Sequence, residues 1–169
     1  MKGNEMTAAN DTEAKARKEL WAALKSDMTV MLALADQPTK AQPMTVQLLD
    51  DAPEGPIYFF TSSETDLIRT LAAARPAFFT FADKGHALFA TVKGTLELDN
   101  DRAVIDDLWN RFVAAWFEGK DDPKLRLLRF EPDDGEVWFD ANSYIAGIKM
   151  LLGIDPKEDY KDKAAKIAL

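Results

Sequence analysis

Residues 57–69, Ile57-Tyr58-Phe59-Phe60-Thr61-Ser62-Ser63-Glu64-Thr65-Asp66-Leu67-Ile68-Arg69, pass from an apolar strand through hydroxyl side chains into a helix start. Ile57 to Phe60 is apolar without alternation, the pattern of a strand buried on both faces deep in a barrel or sandwich. A strand end that brings hydroxyls and backbone N–H groups to a helix N-terminus suits an anion. The same residues support a plainer reading. Ser63 and Asp66 match the Ser/Thr-x-x-Asp/Glu capping box, which needs no ligand.

Upstream, the turn formers Asp50-Asp51-Ala52-Pro53-Glu54-Gly55-Pro56 predict a hairpin joining this strand to one over Met44–Leu49, led in by Gln42-Pro43. Thr29 to Ala35 is a short apolar strand closed by Asp36-Gln37-Pro38. A helix capped by Asp11 or Thr12 runs to about Ser26, with Ala16, Leu20, Ala23 and Leu24 on one face. The first ten residues are polar and aperiodic, and are expected as a frayed tail.

Downstream, the helix after Ser63 turns Leu67, Ile68, Leu71 and Ala72 inward and stops by Ala74, before Pro76. Strands follow at Ala77–Ala82 and Ala87–Leu98, where Gly94 signals a bulge or a close approach. Asn100 is expected to cap one long helix bearing Ile105, Leu108, Trp109, Phe112 and Trp116, ended by Gly119. Leu125–Phe130 and Glu136–Phe139 read as strands joined by the turn Pro132-Asp133-Asp134-Gly135. Ser143 opens a short helix, and Asp155-Pro156-Lys157-Glu158 opens a final one through Tyr160 and Ile167. The whole is an α+β, mainly β chain: an antiparallel barrel with flanking helices over residues 1–140 and a helical extension of the same domain over 141–169. Alternating βα units and a G-x-G-x-x-G after a strand are both missing, which argues against a dinucleotide-type parallel sheet.

The charge balance narrows the function. A net charge of -8 in 169 residues opposes a phosphate-backbone footprint, so nucleic acid is not an expected partner. No apolar run reaches the roughly 20 residues of a membrane span, and the N-terminus lacks a signal-peptide core. A cytoplasmic protein is expected. With no Cys, thiolate nucleophiles, disulfides and iron–sulfur ligation are ruled out, and redox chemistry would need a bound cofactor. His86 is the single histidine, beside a turn, and reads as a surface or cap residue; Asp121-Asp122 and Asp133-Asp134 read as solvated turns. Trp109, Phe112, Trp116 and Phe117 surround their helix more widely than a one-sided cover requires. They are core, oligomer interface, or the wall of a site for a flat ring.

The order of these segments resembles the pyridoxamine 5′-phosphate oxidase-like FMN-binding split barrel. The resemblance rests on Gln42-Pro43-Met44, on Tyr58-Phe59-Phe60-Thr61-Ser62 followed by a helix, on Phe81-Ala82-Asp83 and on the Gly94-bearing strand. Asp107-Leu108-Trp109-Asn110, Ala115-Trp116-Phe117-Glu118-Gly119, Leu127-Leu128-Arg129-Phe130-Glu131-Pro132 and Val137-Trp138 are similar to its general-stress-protein branch. The likeness covers roughly residues 15–140. It implies a homodimer with FMN at the interface. Gln42, Pro43, Met44 and Thr45 would border the isoalloxazine and ribityl parts, beside Phe60. Thr61, Ser62 and Thr65 would approach the phosphate, and Trp109 and Trp116 would close the site from the dimer partner.

The chain departs from that family where charge matters. Family members commonly carry Arg at the position of Gln42 and Lys near that of Leu67. If a charge-assisted bond is worth about 1.5–3 kcal/mol, losing two costs roughly 3–6 kcal/mol, or about two to four decades of affinity. Arg69, Lys40 and Lys93 are the candidates to compensate. The resemblance implies an FMN-dependent oxidoreductase or a flavin-handling stress protein, with NAD(P)H or a small molecule as further partner. The alternative is a non-enzymatic binding protein of the same fold. No side chain stands out as a general acid or base, and the late strands lack a basic cluster to hold pyridoxamine phosphate as a substrate.

Overall fold

The computed structural model of the chain describes residues 2–139 and 164–169. Seven strands make one antiparallel sheet: β1 (Thr29–Leu34), β2 (Gln42–Thr45), β3 (Ile57–Ser62), β4 (Arg75–Ala82), β5 (Leu88–Leu98), β6 (Leu125–Phe139) and β7 (Ala164–Ala168). The order across the sheet is β2-β1-β4-β5-β6-β3, with β7 also on β6. The two ends of that row meet at one point, where Gln47 and Tyr58 exchange both backbone hydrogen bonds at 2.9 Å. The sheet therefore closes into a barrel through a single bridge, with a split beside it.

The expected hairpin between the second and third strands is corrected by this pairing. β2 pairs with β1, Thr29 opposite Thr45 and Leu32 opposite Gln42, and its segment is hydrogen-bonded to the next strand at the bridge of Gln47, just past its end. β3 pairs instead with β6, from Ile57 opposite Phe130 to Ser62 opposite Leu125. The loop between β2 and β3 does contain a tight turn, where the Ala52 amide donates to the Leu49 carbonyl at 3.1 Å, but no hairpin ladder extends from it.

β6 is one strand of 15 residues where two were expected. Pro132-Asp133-Asp134-Gly135 forms a bulge: Lys93 faces Asp134 and Gly94 faces Pro132, leaving Asp133 as the extra residue against β5. Gly94 is also where the backbones touch, since a Cβ there would lie 2.1 Å from the Glu131 carbonyl oxygen. Turn-forming residues satisfy a bulge as well as a turn. Beyond the bulge, β6 takes β7 on its other edge, Asp134 opposite Ala168. The final helix expected through Ile167 is therefore a strand at 164–168, its burial alternating with Ala165 and Ile167 inward. The expected helix at Ser143 and the start of the final one lie outside the described residues.

The barrel is filled by Val30, Leu32, Ile57, Phe59, Phe79, Val92, Leu96, Leu128 and Phe130. The helix α1 (Lys2–Asp27) closes it with Ala16, Leu20, Trp21 and Leu24. It starts at Lys2 and not at Asp11 or Thr12, so the expected tail is helical; residues 4–10 contain neither Gly nor Pro to stop it. Glu13 accepts the Ala168 amide at 3.0 Å, which ties α1 to β7. A second cluster, Tyr58, Ile105, Leu108, Leu125 and Leu127, lies outside the barrel under the short helices α3 (Arg102–Leu108) and α4 (Arg111–Ala114).

The long helix expected from Asn100 to Gly119 is broken at Trp109-Asn110. Asn110 Oδ1 accepts the amides of Phe112 at 2.9 Å and Val113 at 3.1 Å, the work of an N-cap, so a new helix starts there. The first helix is capped by Asp101, whose carboxylate accepts the Ala103 amide at 2.9 Å. Asn100, expected as the cap, has a φ of 47° and accepts the Leu127 amide at 2.8 Å. It pins the helix to β6.

Candidate functional site

The split begins where the Gln47–Tyr58 bridge ends. Continuing that antiparallel register would set Thr45 against Phe60 and Pro43 against Ser62, but the two strands form no ladder there. β2 keeps its pairing to β1 and β3 keeps its pairing to β6, so the strands diverge and a cleft opens between them. The cleft holds a cavity of about 350 Å³ lined by Pro43, Met44, Thr45, Gln47, Phe60, Thr61, Ser62, Phe112, Val113, Trp116 and Phe117. That volume is within the range of small-molecule sites, roughly 300–1,000 Å³.

The break at Asn110 is what aims the aromatic wall. A continuous helix would carry Phe112 and Trp116 along the face of Leu108; the new start turns α4 and the following turn over the cleft instead. Trp116 is 85% exposed and Phe112 68%, unusual for side chains of this size. Arg111 lies 4.8 Å from the centre of the Phe112 ring. Gln47 is a buried polar side chain on the opposite wall, and its Oε1 accepts from Asn110 Nδ2 at 3.4 Å. This contact links the closing bridge of the barrel to the cap that positions the wall. Gln47 and Val113 line the cavity without having been expected there, as do Phe112 and Phe117, which the sequence left open between core, interface and the wall of a flat-ring site. Gln47 was visible as the one amide among the apolar residues of Met44–Leu49.

Of the residues expected at a site, Pro43, Met44, Thr45, Phe60, Thr61 and Ser62 come together here, and Trp116, expected from a partner subunit, lines the cleft of its own chain. Gln42, Thr65, Arg69 and Trp109 do not line the cavity. Gln42 is at the far end of β2, opposite Leu32. Trp109 packs edge-on to Phe60, with centroids 6.2 Å apart at 85°, and faces a neighbouring groove with Asp50, Asp51 and Asn110. Thr65 is the N-cap of α2 (Asp66–Thr70): its hydroxyl donates to the Ser62 carbonyl at 3.0 Å and accepts the Ile68 amide at 3.4 Å. The cap is thus Thr65 and not Ser63, and α2 is shorter than the helix to Ala74 that the sequence predicts.

The turn from β3 to α2 satisfies several of its amides internally. Glu64 donates to Ser62 Oγ at 3.2 Å, Thr65 to the Ser62 carbonyl at 3.1 Å and Arg69 to the Thr65 carbonyl at 3.1 Å. Its charges are also internally paired. Arg69 reaches Asp66 at 3.4 Å, and Lys124 reaches Glu64 at 3.0 Å. Of the other candidate cations, Lys93 pairs with Asp134 beside the bulge, and Lys40 ends a single 3₁₀ turn, Pro38–Lys40.

None of the residues lining the cavity is titratable. Next to it, Tyr58 is buried, which pushes its phenol above the ordinary value, against a hydrogen bond to Arg129. His86 stacks on Phe89 at 6.3 Å, on another part of the barrel. Among the described residues no group of three or more acids or histidines is arranged to hold a metal, and no helix is long and apolar enough to cross a membrane.

A cleft walled by aromatic rings on one side and hydroxyls on the other offers stacking surface and hydrogen-bonding groups side by side. Comparison with known proteins places the chain. The family described as pyridoxamine 5′-phosphate oxidase like matches residues 15–160. A general stress family protein from Xanthomonas campestris is 47% identical, covering 76% of this chain and 90% of that one, with a TM-score of 0.71. A general stress FMN/FAD binding protein from Xanthomonas citri is 45% identical over 76% and 92% of the two chains, with a TM-score of 0.72. General stress protein 26 of Bacillus subtilis is 37% identical over 46 residues, so the match spans 27% of this chain and only 33% of that curated relative. On the family match, the split-barrel architecture and these likenesses, the chain belongs to the pyridoxamine 5′-phosphate oxidase-like family.

Proposed function

We propose that this protein binds a flavin, FMN in the first instance, in the cleft between β2 and β3, and handles it as a homodimer. The carrying observation is the split itself: two strands that part beside the Gln47–Tyr58 bridge, with Trp116 and Phe112 exposed over the gap. The isoalloxazine would lie between the aromatic wall and Met44, excluding water from its faces, with the ribityl hydroxyls toward Thr45, Thr61 and Ser62. The name of the relative from Xanthomonas citri supports this ligand class.

When bound, the flavin supplies the electron transfer, with NAD(P)H as the expected donor. The protein residues bind and orient it. Because the cavity wall carries no titratable side chain, a flavin-binding or flavin-handling role is favoured over an acid–base mechanism at this site. Purified protein titrated with FMN should show a saturable visible-band shift and quenched tryptophan fluorescence. Absence of both up to high micromolar FMN would refute the reading. Turnover with NAD(P)H separates the two roles: flavin reduction faster than in free solution supports an oxidoreductase, and binding without acceleration supports handling.

A further inference from the structure

We propose that this site recognises the flavin ring and ribityl chain and not the phosphate, so that riboflavin and FMN bind with nearly equal affinity. The inference rests on the flavin-site reading above. A phosphate dianion is selected by free amides, by cations, or by both. Neither a cation nor any residue of α2 is among the described residues lining the hydroxyl end of the cleft.

Thr61 and Ser62 are the hydroxyls that line the cavity at that end, and a neutral hydroxyl pairs with a ribityl hydroxyl as it does with a phosphate oxygen, without selecting the charge. The amides of Thr65, Ile68 and Arg69 are spent within the turn and that of Ser63 on the Lys124 carbonyl, while those of Asp66 and Leu67 belong to a helix that does not line the cleft. The five residues of α2 place an acid, Asp66, in the first turn, where a bound anion would otherwise be favoured. The flanking cations are held by acids of the same turn: Lys124 by Glu64 and Arg69 by Asp66. Arg126, opposite Thr61 in the β3–β6 pairing, directs Nη1 to the carbonyls of Pro123 and Leu125. Arg111 lies at the aromatic end, on Phe112. The net charge of -8 adds a general repulsion for a dianion that the neutral vitamin does not feel.

Each charge-assisted contact to a phosphate is worth roughly ten- to hundredfold in affinity. A site that used even one would separate FMN from riboflavin by about tenfold or more. The test titrates full-length protein with riboflavin and with FMN by tryptophan quenching, at low and at high salt. Affinities within about tenfold of each other, with FMN binding not weakened by salt, are expected. FMN tighter by more than about tenfold, with the advantage lost at high salt, would overturn the inference while leaving the flavin site standing; binding of neither would overturn both. A second arm uses Glu64→Gln combined with Asp66→Asn, which releases Lys124 and Arg69 at exposed positions. The variant should raise the FMN preference above about tenfold with riboflavin affinity unchanged. An unchanged preference would overturn the role of the two acids.

Discussion

Trp116 separates fold from function at the scale of one residue. It lines the cavity but is 85% exposed, so truncating it takes away part of the cavity wall and little packing. Trp116→Ala should leave the unfolding midpoint within about 0.5 kcal/mol of the parent. Flavin affinity should fall roughly tenfold, because stacking of a flat heterocycle on an aromatic side chain is worth about 1–3 kcal/mol. Equilibrium denaturation and fluorescence titration check the two halves separately. Gly94 behaves in the opposite way. A methyl group there meets the Glu131 carbonyl at 2.1 Å and the Phe130 ring at 2.8 Å, so Gly94→Ala should destabilise by about 1–3 kcal/mol without altering flavin contacts. An unchanged denaturation midpoint would mean that the β5–β6 contact is looser than described. Gly94 was legible in the sequence because an interrupted strand pattern has few causes. Asn100 was less so: the same residue type favours helix caps and left-handed turns, and only the position of Leu127 decides between them.

At the scale of elements, apolar strands were legible and their partners were not. β1, β3, β4 and β5 fall close to the expected ranges, whereas the pairing of β3 with β6 spans more than sixty residues that no local pattern connects. Apolar spacing over Ile105–Trp116 concealed the helix break, because the sequence keeps a helical period across Trp109-Asn110 where the backbone is extended. The alanine-rich sequence of β7 favours a helix, and pairing with β6 overrides it. The loop after Trp116 offers a test. Asp122 accepts the amides of Glu118 at 2.9 Å and Lys124 at 2.8 Å, and these bonds hold its carboxyl below the ordinary value. Its contribution to stability is therefore complete above the unfolded carboxylate value, near pH 3.9, and fades as pH falls through the lower folded value. Asp122→Asn should flatten the acid side of a stability profile recorded from about pH 5 to pH 2. An identical profile in the variant would show that the loop is held by other contacts.

For the molecule as a whole, closure of the barrel through one bridge is the feature that makes a site possible. A full ladder between β2 and β3 would seal the cleft, and no bridge at all would leave Gln47 unable to reach Asn110 and the aromatic wall unplaced. Amide exchange should show Gln47 and Tyr58 protected like the ladders on either side. Exchange at these two amides as fast as in an open loop would contradict closure. Short strands, turn formers and the order of motifs made an antiparallel split barrel legible in the sequence. The wall needed three-dimensional placement, since Phe112 and Trp116 meet Thr61 and Ser62 only after α4 turns back across the split.

The four tryptophans make the central claim directly measurable, because each has a separate indole N–H resonance and only Trp116 lines the cleft. On titration with FMN, the Trp116 indole signal should shift most, with those of Trp21 and Trp138 unmoved. Saturable FMN binding that leaves the Trp116 signal in place would contradict the account.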